Sequence, residues 1–280
     1  MNNGKRVLIL GGEGFIGRNI AEVLSDESEC FSVGNIKSFF LERNDSFLKI
    51  NPYKEAVNSD FDVYIHLIDN QVELDNFLKE ERNLMKNLSI SRNSHLIVFS
   101  SAVVYANPDS PYGKRKLELE KFYEEFCQRK NINLTTVRLF NIYGKYHLPY
   151  RQGGLVANIF FNYLNGLPVE INDLETKRDF IYATDMAIII KDIINSKKFG
   201  KYDLATGKLI SIGEIIEILK NNVIKKLKII NKNNGEKILS PAGNNELSKI
   251  LNLVKIEDGL KKAYLFYEKN NQLIKDNLKL

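Results

Sequence analysis

An α/β fold, a doubly wound parallel sheet with a smaller mixed α/β cap, is what this chain of 280 residues predicts, and three observations carry the prediction. Short unbroken apolar runs recur, at Val7–Leu10, Asp62–Leu67 and His95–Ser100. Runs of that length without polar alternation are what strands buried on both faces of a parallel sheet look like. Helical stretches stand between the runs, and this β–α alternation belongs to sheets with helices on both sides. A glycine-rich turn, Gly12-Glu-Gly-Phe-Ile-Gly17, directly follows the first run and opens a helix.

In chain order, the first strand leads through the glycines into a helix whose apolar side is Ile16, Ile20, Val23 and Leu24. Cys30–Val33 reads as the second strand. After the strand Asp62–Leu67 comes a charged helical stretch, Glu73–Leu88, and then the strand His95–Ser100. A helix beginning at Pro111 and ending near Arg129 precedes the strand Leu134–Leu139. Beyond Gly144 the pattern loosens. A helix is expected over Leu155–Leu164, and Lys177–Tyr182 is expected to return to the sheet. Ser211–Asn221 is helical, and the Lys/Asn-rich stretch 222–236 reads as a solvated loop with an edge strand. The expected division is a core of residues 1–145 and 178–205 and a cap of residues 146–177 and 206–280.

Bulk properties narrow the function classes. Net charge is +5, with basic residues interspersed among acids, so nucleic acid is not an expected partner and a phosphate-bearing small molecule is. Cys30 and Cys127 lie far apart without metal-ligand spacing, so no metal is expected and a reduced cytoplasmic setting is. No apolar stretch approaches the roughly 18 residues a membrane span needs.

The glycine turn meets a specific requirement. A tight turn, a backbone close to a pyrophosphate and a helix packed on a strand need glycines at this spacing. Dinucleotide binding on a Rossmann-type sheet is therefore expected, with Gly11, Gly14, Phe15, Ile16 and Gly17 at the cofactor. The residue about 20 positions beyond the middle glycine separates NAD from NADP. Here the second strand ends in Ser32-Val-Gly34-Asn35, without a carboxylate, while Lys37 and Arg43 follow. A cation there can pair with a 2′-phosphate. NADP is the expected cofactor, with NAD the alternative, and Asn35 and Lys37 join the cofactor residues.

A second constellation concerns proton transfer. Tyr112 and Lys116 lie four residues apart, on one helix face. A tyrosine with a pKa of about 10 is a poor proton carrier at neutral pH, and a nearby ammonium favours its phenolate. Ser110 reads as the N-cap and Pro111 as the first helical residue, which puts Tyr112 at the positive end of the helix dipole.

Together these motifs resemble the extended short-chain dehydrogenase/reductase family, the NAD(P)-dependent epimerases and dehydratases that act on nucleotide sugars. Gly11, Gly14 and Gly17 match its glycine pattern, and Ser101, Tyr112 and Lys116 its catalytic set. Arg138–Gly144, Lys177–Asp185, Leu204–Gly207 with Ser211, and Asp258–Leu260 also have counterparts, so the resemblance covers nearly the whole chain. It implies that Tyr112 is the proton donor or acceptor at a sugar oxygen, that Ser101 hydrogen-bonds the same oxygen, and that Lys116 holds the nicotinamide ribose. It implies a diphosphate contact for Asn141 and Arg178, for which the ordinary structural roles are a turn cap and a salt bridge to Asp179. His66, in the run Ile65-His-Leu67, is assigned no chemistry. A homodimer through the catalytic helix is the expected assembly; Phe122, Tyr123 and Phe126 fit either that face or the core.

Departures from the family pattern matter too. Members that dehydrate at C4–C6 carry an Asp-Glu pair just after the catalytic Ser/Thr; here those positions are Ala102 and Val103, which transfer no proton. The segment from Ser101 to Tyr112 is short, Lys145 replaces a usual proline, and Asn51 stands where an Asp often meets adenine. The resulting expectation is NADPH-dependent reduction of a 4-keto nucleotide sugar with Tyr112 as proton donor. The alternatives are NAD-dependent C4 epimerisation and, from another class, a Rossmann scaffold that senses NADP.

Overall fold

The structure is a computed structural model that describes residues 4–33, 48–50, 59–69, 72–151, 154–232 and 241–278. In chain order its elements begin β1 (Lys5–Leu10), α1 (Phe15–Leu24), β2 (Ser28–Val33), β3 (Lys49–Ile50) and β4 (Val63–His66). Next come α2 (Leu74–Asn87), β5 (His95–Ser101), α3 (Val103–Ala106), α4 (Pro111–Lys130) and β6 (Asn133–Leu139). Then follow β7 (Asn141–Tyr143), α5 (Leu155–Leu164), β8 (Val169–Ile171), β9 (Lys177–Tyr182) and α6 (Ala183–Asn195). The last are β10 (Gly200–Leu204), β11 (Leu209–Ser211), α7 (Ile212–Asn222), β12 (Ile229–Asn231) and α8 (Ile256–Leu278). Two units divide the chain: Met1–Leu139 with Ala187–Asp203, and Phe140–Met186 with Leu204–Leu280.

The first unit holds a seven-stranded sheet in the order β10-β6-β5-β4-β1-β2-β3. β1 pairs in parallel with both β2 and β4, and β4–β5 and β5–β6 are parallel as well. The chain thus builds outward from β1 in one direction and then in the other, the doubly wound order with its switch point between β1 and β4. The apolar runs are unbroken because both faces are covered: Val7–Leu10 and Val63–Ile65 are all buried. Leu8, Leu10, Tyr64, Leu96 and Val98 from the strands meet Phe77 and Met85 of α2 and Leu119 and Tyr123 of α4 in one core. α4 is only weakly amphipathic in sequence, because it buries Lys116 and Glu120 along with Leu119, Tyr123 and Cys127.

In the second unit β9 lies between β7, to which it is parallel, and β11, to which it is antiparallel. β8 and β12 form a separate parallel pair. This corrects one expectation. Lys177–Tyr182 is a strand, but it does not rejoin the large sheet; its apolar Phe180-Ile-Tyr182 end encodes burial and not the identity of a partner strand. The expected core boundaries, 1–145 and 178–205, accordingly differ from the observed division after Leu139 and after Met186. β12 lies within the stretch read as loop and edge strand. No helix among the described residues is long and apolar enough to cross a membrane.

Candidate active site

The glycine turn closes on itself by two backbone bonds, Gly12 N–H to the Ile9 carbonyl and Gly14 N–H to the Gly11 carbonyl, each 3.1 Å. Gly11 has φ +88°, a conformation that costs an L side chain dearly. A Cβ on Gly17 would sit 2.5 Å from the Gly12 Cα, so only glycine lets α1 pack this close to the turn. Gly14 caps α1 without a side-chain bond, and the first turn contains no acid. A helix N-terminus in that state is suited to a phosphate. The turn therefore fits the pyrophosphate of a dinucleotide. Phe15 and Ile16 are the first two residues of α1 and half-buried. Asn35 and Lys37, with Gly34, Arg43 and Asn51, lie outside the described residues.

Ser101 is the last residue of β5, paired with Leu139 of β6, and its Oγ accepts from the Val103 N–H at 3.2 Å. The short connection beyond it is ordered by α3. Ser110 then caps α4, its Oγ accepting from the Gly113 N–H at 3.0 Å, with Pro111 as the first helical residue. Tyr112 is thus in the first turn. The Lys116 Nζ is 5.5 Å from the Tyr112 ring centroid, and the Arg115 guanidinium carbon is 5.7 Å from it. Lys116 is 5 % exposed; its ammonium donates to the Phe99 carbonyl at 3.4 Å and lies 3.4 Å from Asp69 Oδ2. Among the described residues Asp69 Oδ1 is buried without a hydrogen-bond partner. Ala102 is buried beside Ser101, so the position after the serine supplies packing and no proton acceptor.

A buried ionic cluster holds the segment between Ser101 and Tyr112. Glu120 of α4 accepts from Ser100 Oγ at 2.7 Å and from Arg138 Nε and Nη2 at 2.9 and 2.7 Å. Lys201 of β10 adds a 3.0 Å ion pair. Arg138 also donates through Nη1 to the Tyr105 hydroxyl at 2.6 Å, and that hydroxyl donates to Asp203 at 3.0 Å. Burial pushes the Glu120 carboxyl up, but the bonds from Arg138, Ser100 and Lys201 outweigh it and hold it below the usual carboxylate range. Gly113 fits the same segment: a Cβ there would press on the Asn107 carbonyl oxygen and lie 2.7 Å from that of Pro108.

His66, at the end of β4, is buried against Glu81 of α2, with Nε2 to Oε2 at 2.9 Å. The Tyr123 hydroxyl donates to the same carboxylate oxygen at 2.5 Å. Burial pushes Glu81 up, yet the His66 and Tyr123 contacts keep it below its ordinary value. This is a structural tie between β4, α2 and α4. Tyr123 is core, whereas Phe122 and Phe126 are half-buried and pack against the edge of that core.

In the second unit Asn141 opens β7, opposite Phe180 of β9, and its Nδ2 donates to the Asp179 carbonyl at 3.5 Å. Arg178 of β9 is half-buried; Nη1 donates to the Lys177 carbonyl at 2.8 Å, and burial lowers the guanidinium pKa. Asn141 and Arg178 thus stand on neighbouring strands, with Arg178 two residues before the residue opposite Asn141. Asp179 is fully buried and accepts from Thr206 N–H and Oγ, Gly207 N–H and Gly243 N–H. A cavity of about 620 Å³ in this unit is lined by Tyr143, Phe180, Tyr182, Asp185, Lys208 and Lys255 among others. Neither Asn141 nor Arg178 lines it.

Three site features escape sequence reading. Asp69 and Glu120 are marked only by the cations they meet in space, Lys116 for the one and Arg138 and Lys201 for the other, and Glu13, inside the glycine turn, only by its burial.

Known proteins share this arrangement of elements. Residues 7–205 match the model of the NAD dependent epimerase/dehydratase family. A curated relative, the putative UDP-glucose 4-epimerase of Methanocaldococcus jannaschii, is 26% identical; the match covers 78% of this chain and 82% of that protein. Among solved structures, a UDP-N-acetylglucosamine 4-epimerase from Methanobrevibacter ruminantium, in complex with UDP-N-acetylmuramic acid, superposes with a TM-score of 0.77. It is 23% identical over 96% of this chain and 99% of its own. A UDP-glucose 4-epimerase from Thermus thermophilus, in complex with NAD, gives 0.77 at 20% identity, covering 94% and 98%. At these identities the structural likeness is one of fold.

Proposed function

The chain belongs to the NAD dependent epimerase/dehydratase family, and from that premise we propose that it interconverts nucleotide sugars at C4, with Tyr112 moving the proton at the C4 oxygen. The observation that carries this reading is the junction of β5 and α4: Ser101 at the strand end, Tyr112 in a capped first helical turn, and the buried Lys116 ammonium over its ring. A bound nicotinamide dinucleotide supplies the hydride acceptor and donor for that carbon. Tyr112 takes the proton when the hydroxyl becomes a carbonyl and returns it when the carbonyl is reduced. The Lys116 ammonium stabilises negative charge developing on the tyrosine oxygen, and Ser101 hydrogen-bonds the sugar oxygen. The glycine turn holds the cofactor pyrophosphate, and Asn141 and Arg178 take the substrate diphosphate, which suits a guanidinium. Ala102 and Val103 offer no group for eliminating water. The 4-epimerase relatives of M. jannaschii and T. thermophilus support C4 as the carbon, and the NAD complex of the latter supports the cofactor class.

A second reading, NADPH-dependent reduction of a 4-keto nucleotide sugar, is favoured by Gly34 and Asn35, which put no carboxylate at the end of the second strand. In both readings the first unit binds cofactor and the second binds substrate, and a homodimer through α4 uses the half-buried Phe122 and Phe126; sedimentation velocity tests the dimer.

The deciding experiment incubates purified protein with a panel of UDP- and dTDP-sugars and follows C4 stereochemistry by NMR. Interconversion without net change of absorbance at about 340 nm is expected. Stoichiometric loss of NADPH with 4-keto substrates would instead establish the reductase. Tyr112→Phe is expected to lose about 10²–10⁴-fold in turnover; undiminished turnover in that variant overturns both.

A further inference from the structure

Glu13 stands in the middle of the glycine turn and is only 4 % exposed. Its Oε2 accepts a 2.6 Å hydrogen bond from Ser32 Oγ, and Ser32 is fully buried near the end of β2. Among the described residues that hydroxyl is the only partner of the carboxylate. No cation is paired with it there. A buried carboxylate held by one neutral hydroxyl is costly unless further hydrogen bonds reach it, and ligand hydroxyls are one source of them.

Its position says which ligand groups. Ser32 pairs with Ile9 of β1, and the Ile9 carbonyl accepts from Gly12 N–H, so the turn folds back against β2. The approach is close enough that a Cβ on Gly12 would lie 2.7 Å from Ser32 Oγ. Ser32 stands two residues before Gly34, the position about 20 residues beyond the middle glycine where sheets of this kind place the acid that binds the adenosine ribose. Neither Ser32 nor Val33, Gly34 and Asn35 after it is an acid. A carboxylate reaches the spot all the same, from the turn.

We propose that Glu13 reads the adenosine ribose: its carboxylate, fixed by Ser32, accepts from the ribose hydroxyls and repels a 2′-phosphate, so that the protein selects NAD over NADP. The inference rests on the nicotinamide-cofactor reading above and replaces the expectation drawn from the end of the second strand. It also favours epimerisation over net reduction, since net reduction draws on the NADPH pool.

Binding, not turnover, tests it. NAD⁺ and NADP⁺ are titrated calorimetrically into the full-length protein after removal of retained nucleotide, and the retained nucleotide is identified by chromatography. Wild-type protein is expected to bind NAD⁺ at least about 30-fold more tightly, roughly 2 kcal/mol at 1.4 kcal/mol per tenfold. Glu13→Gln keeps an acceptor for Ser32 and removes the charge; it is expected to narrow the ratio about tenfold or more. Wild-type preference for NADP⁺, or an unchanged ratio in a Glu13→Gln protein that melts like wild type, overturns the proposal. If Glu13→Gln does not fold, Ser32→Ala is used, which unfixes the carboxylate and is expected to narrow the ratio; an unchanged ratio again overturns the proposal. Tyr112→Phe serves as the control. Loss of C4 interconversion with an intact NAD⁺ preference is a failure of the catalytic reading alone, whereas a failure of the Glu13 reading appears in the ratio whatever the turnover.

Discussion

Replacing Asp179 by Asn removes one acceptor oxygen at nearly constant volume, and the structure allows its cost to be worked out. Oδ1 accepts from Thr206 N–H at 2.9 Å and Thr206 Oγ at 2.6 Å; Oδ2 accepts from Gly207 N–H at 2.8 Å and Gly243 N–H at 3.2 Å. If the new amide nitrogen faces Gly207 and Gly243, two half-buried backbone N–H groups lose their partner. If it faces Thr206, the hydroxyl turns to accept from the amide, and only the Thr206 N–H is stranded. The second arrangement is cheaper. One stranded N–H costs about 1–3 kcal/mol, and the two bonds that remain each lose up to about 1 kcal/mol of charge assistance. Part of this is offset, because a neutral amide is easier to bury than a carboxylate. A net loss of about 2–4 kcal/mol is expected. The assay is amide hydrogen exchange, resolved to the peptides carrying Thr206, Gly207 and Gly243. Protection there should fall by about 30- to 1,000-fold, at 1.4 kcal/mol per tenfold. A fall of less than threefold would refute the four-bond account.

Other outcomes follow from the first unit. Gly113→Ala forces the start of α4 away from the Asn107–Pro108 carbonyls; it should lower thermal stability by about 1–3 kcal/mol and cost turnover through a displaced Tyr112. Glu120 has a folded pKa depressed below its ordinary 4.5, so its contribution is fully present above that pH and is lost as pH falls through the folded value. Wild-type stability should therefore drop on acidification below about pH 4.5, and Glu120→Gln should be less stable at neutral pH with a shallower acid limb in urea titrations. Burial pushes both the Cys30 and Cys127 thiols up to about 12, so neither should react with a thiol reagent at about pH 8 until the chain unfolds. Rapid labelling of either in the native protein would contradict their burial.

The sequence by itself determined the local structure and the burial pattern. Unbroken apolar runs encode strands covered on both faces, and they predicted β1, β4 and β5 with most of their lengths. The Gly11–Gly17 spacing and the Ser110-Pro111 cap are local devices, so the turn and the start of the catalytic helix were legible from neighbours in the chain. The short strands β3, β7, β8, β10 and β11 and most of α8 were not, because two to five residues carry too little periodicity and α8 is charged along much of its length. Only the tertiary structure decided which partners distant residues meet. It sent β9 to β7 and β11 instead of the large sheet, set Asp69 against Lys116, and tied Glu120 to Arg138 and Lys201. It also brought Glu13 to Ser32, 19 residues away, where a carboxylate stands beside a strand whose C-terminal end has none. The physical reason is the same in each case: periodicity and capping act over a few residues, whereas ion pairs and strand pairing depend on distances in space that local sequence does not encode.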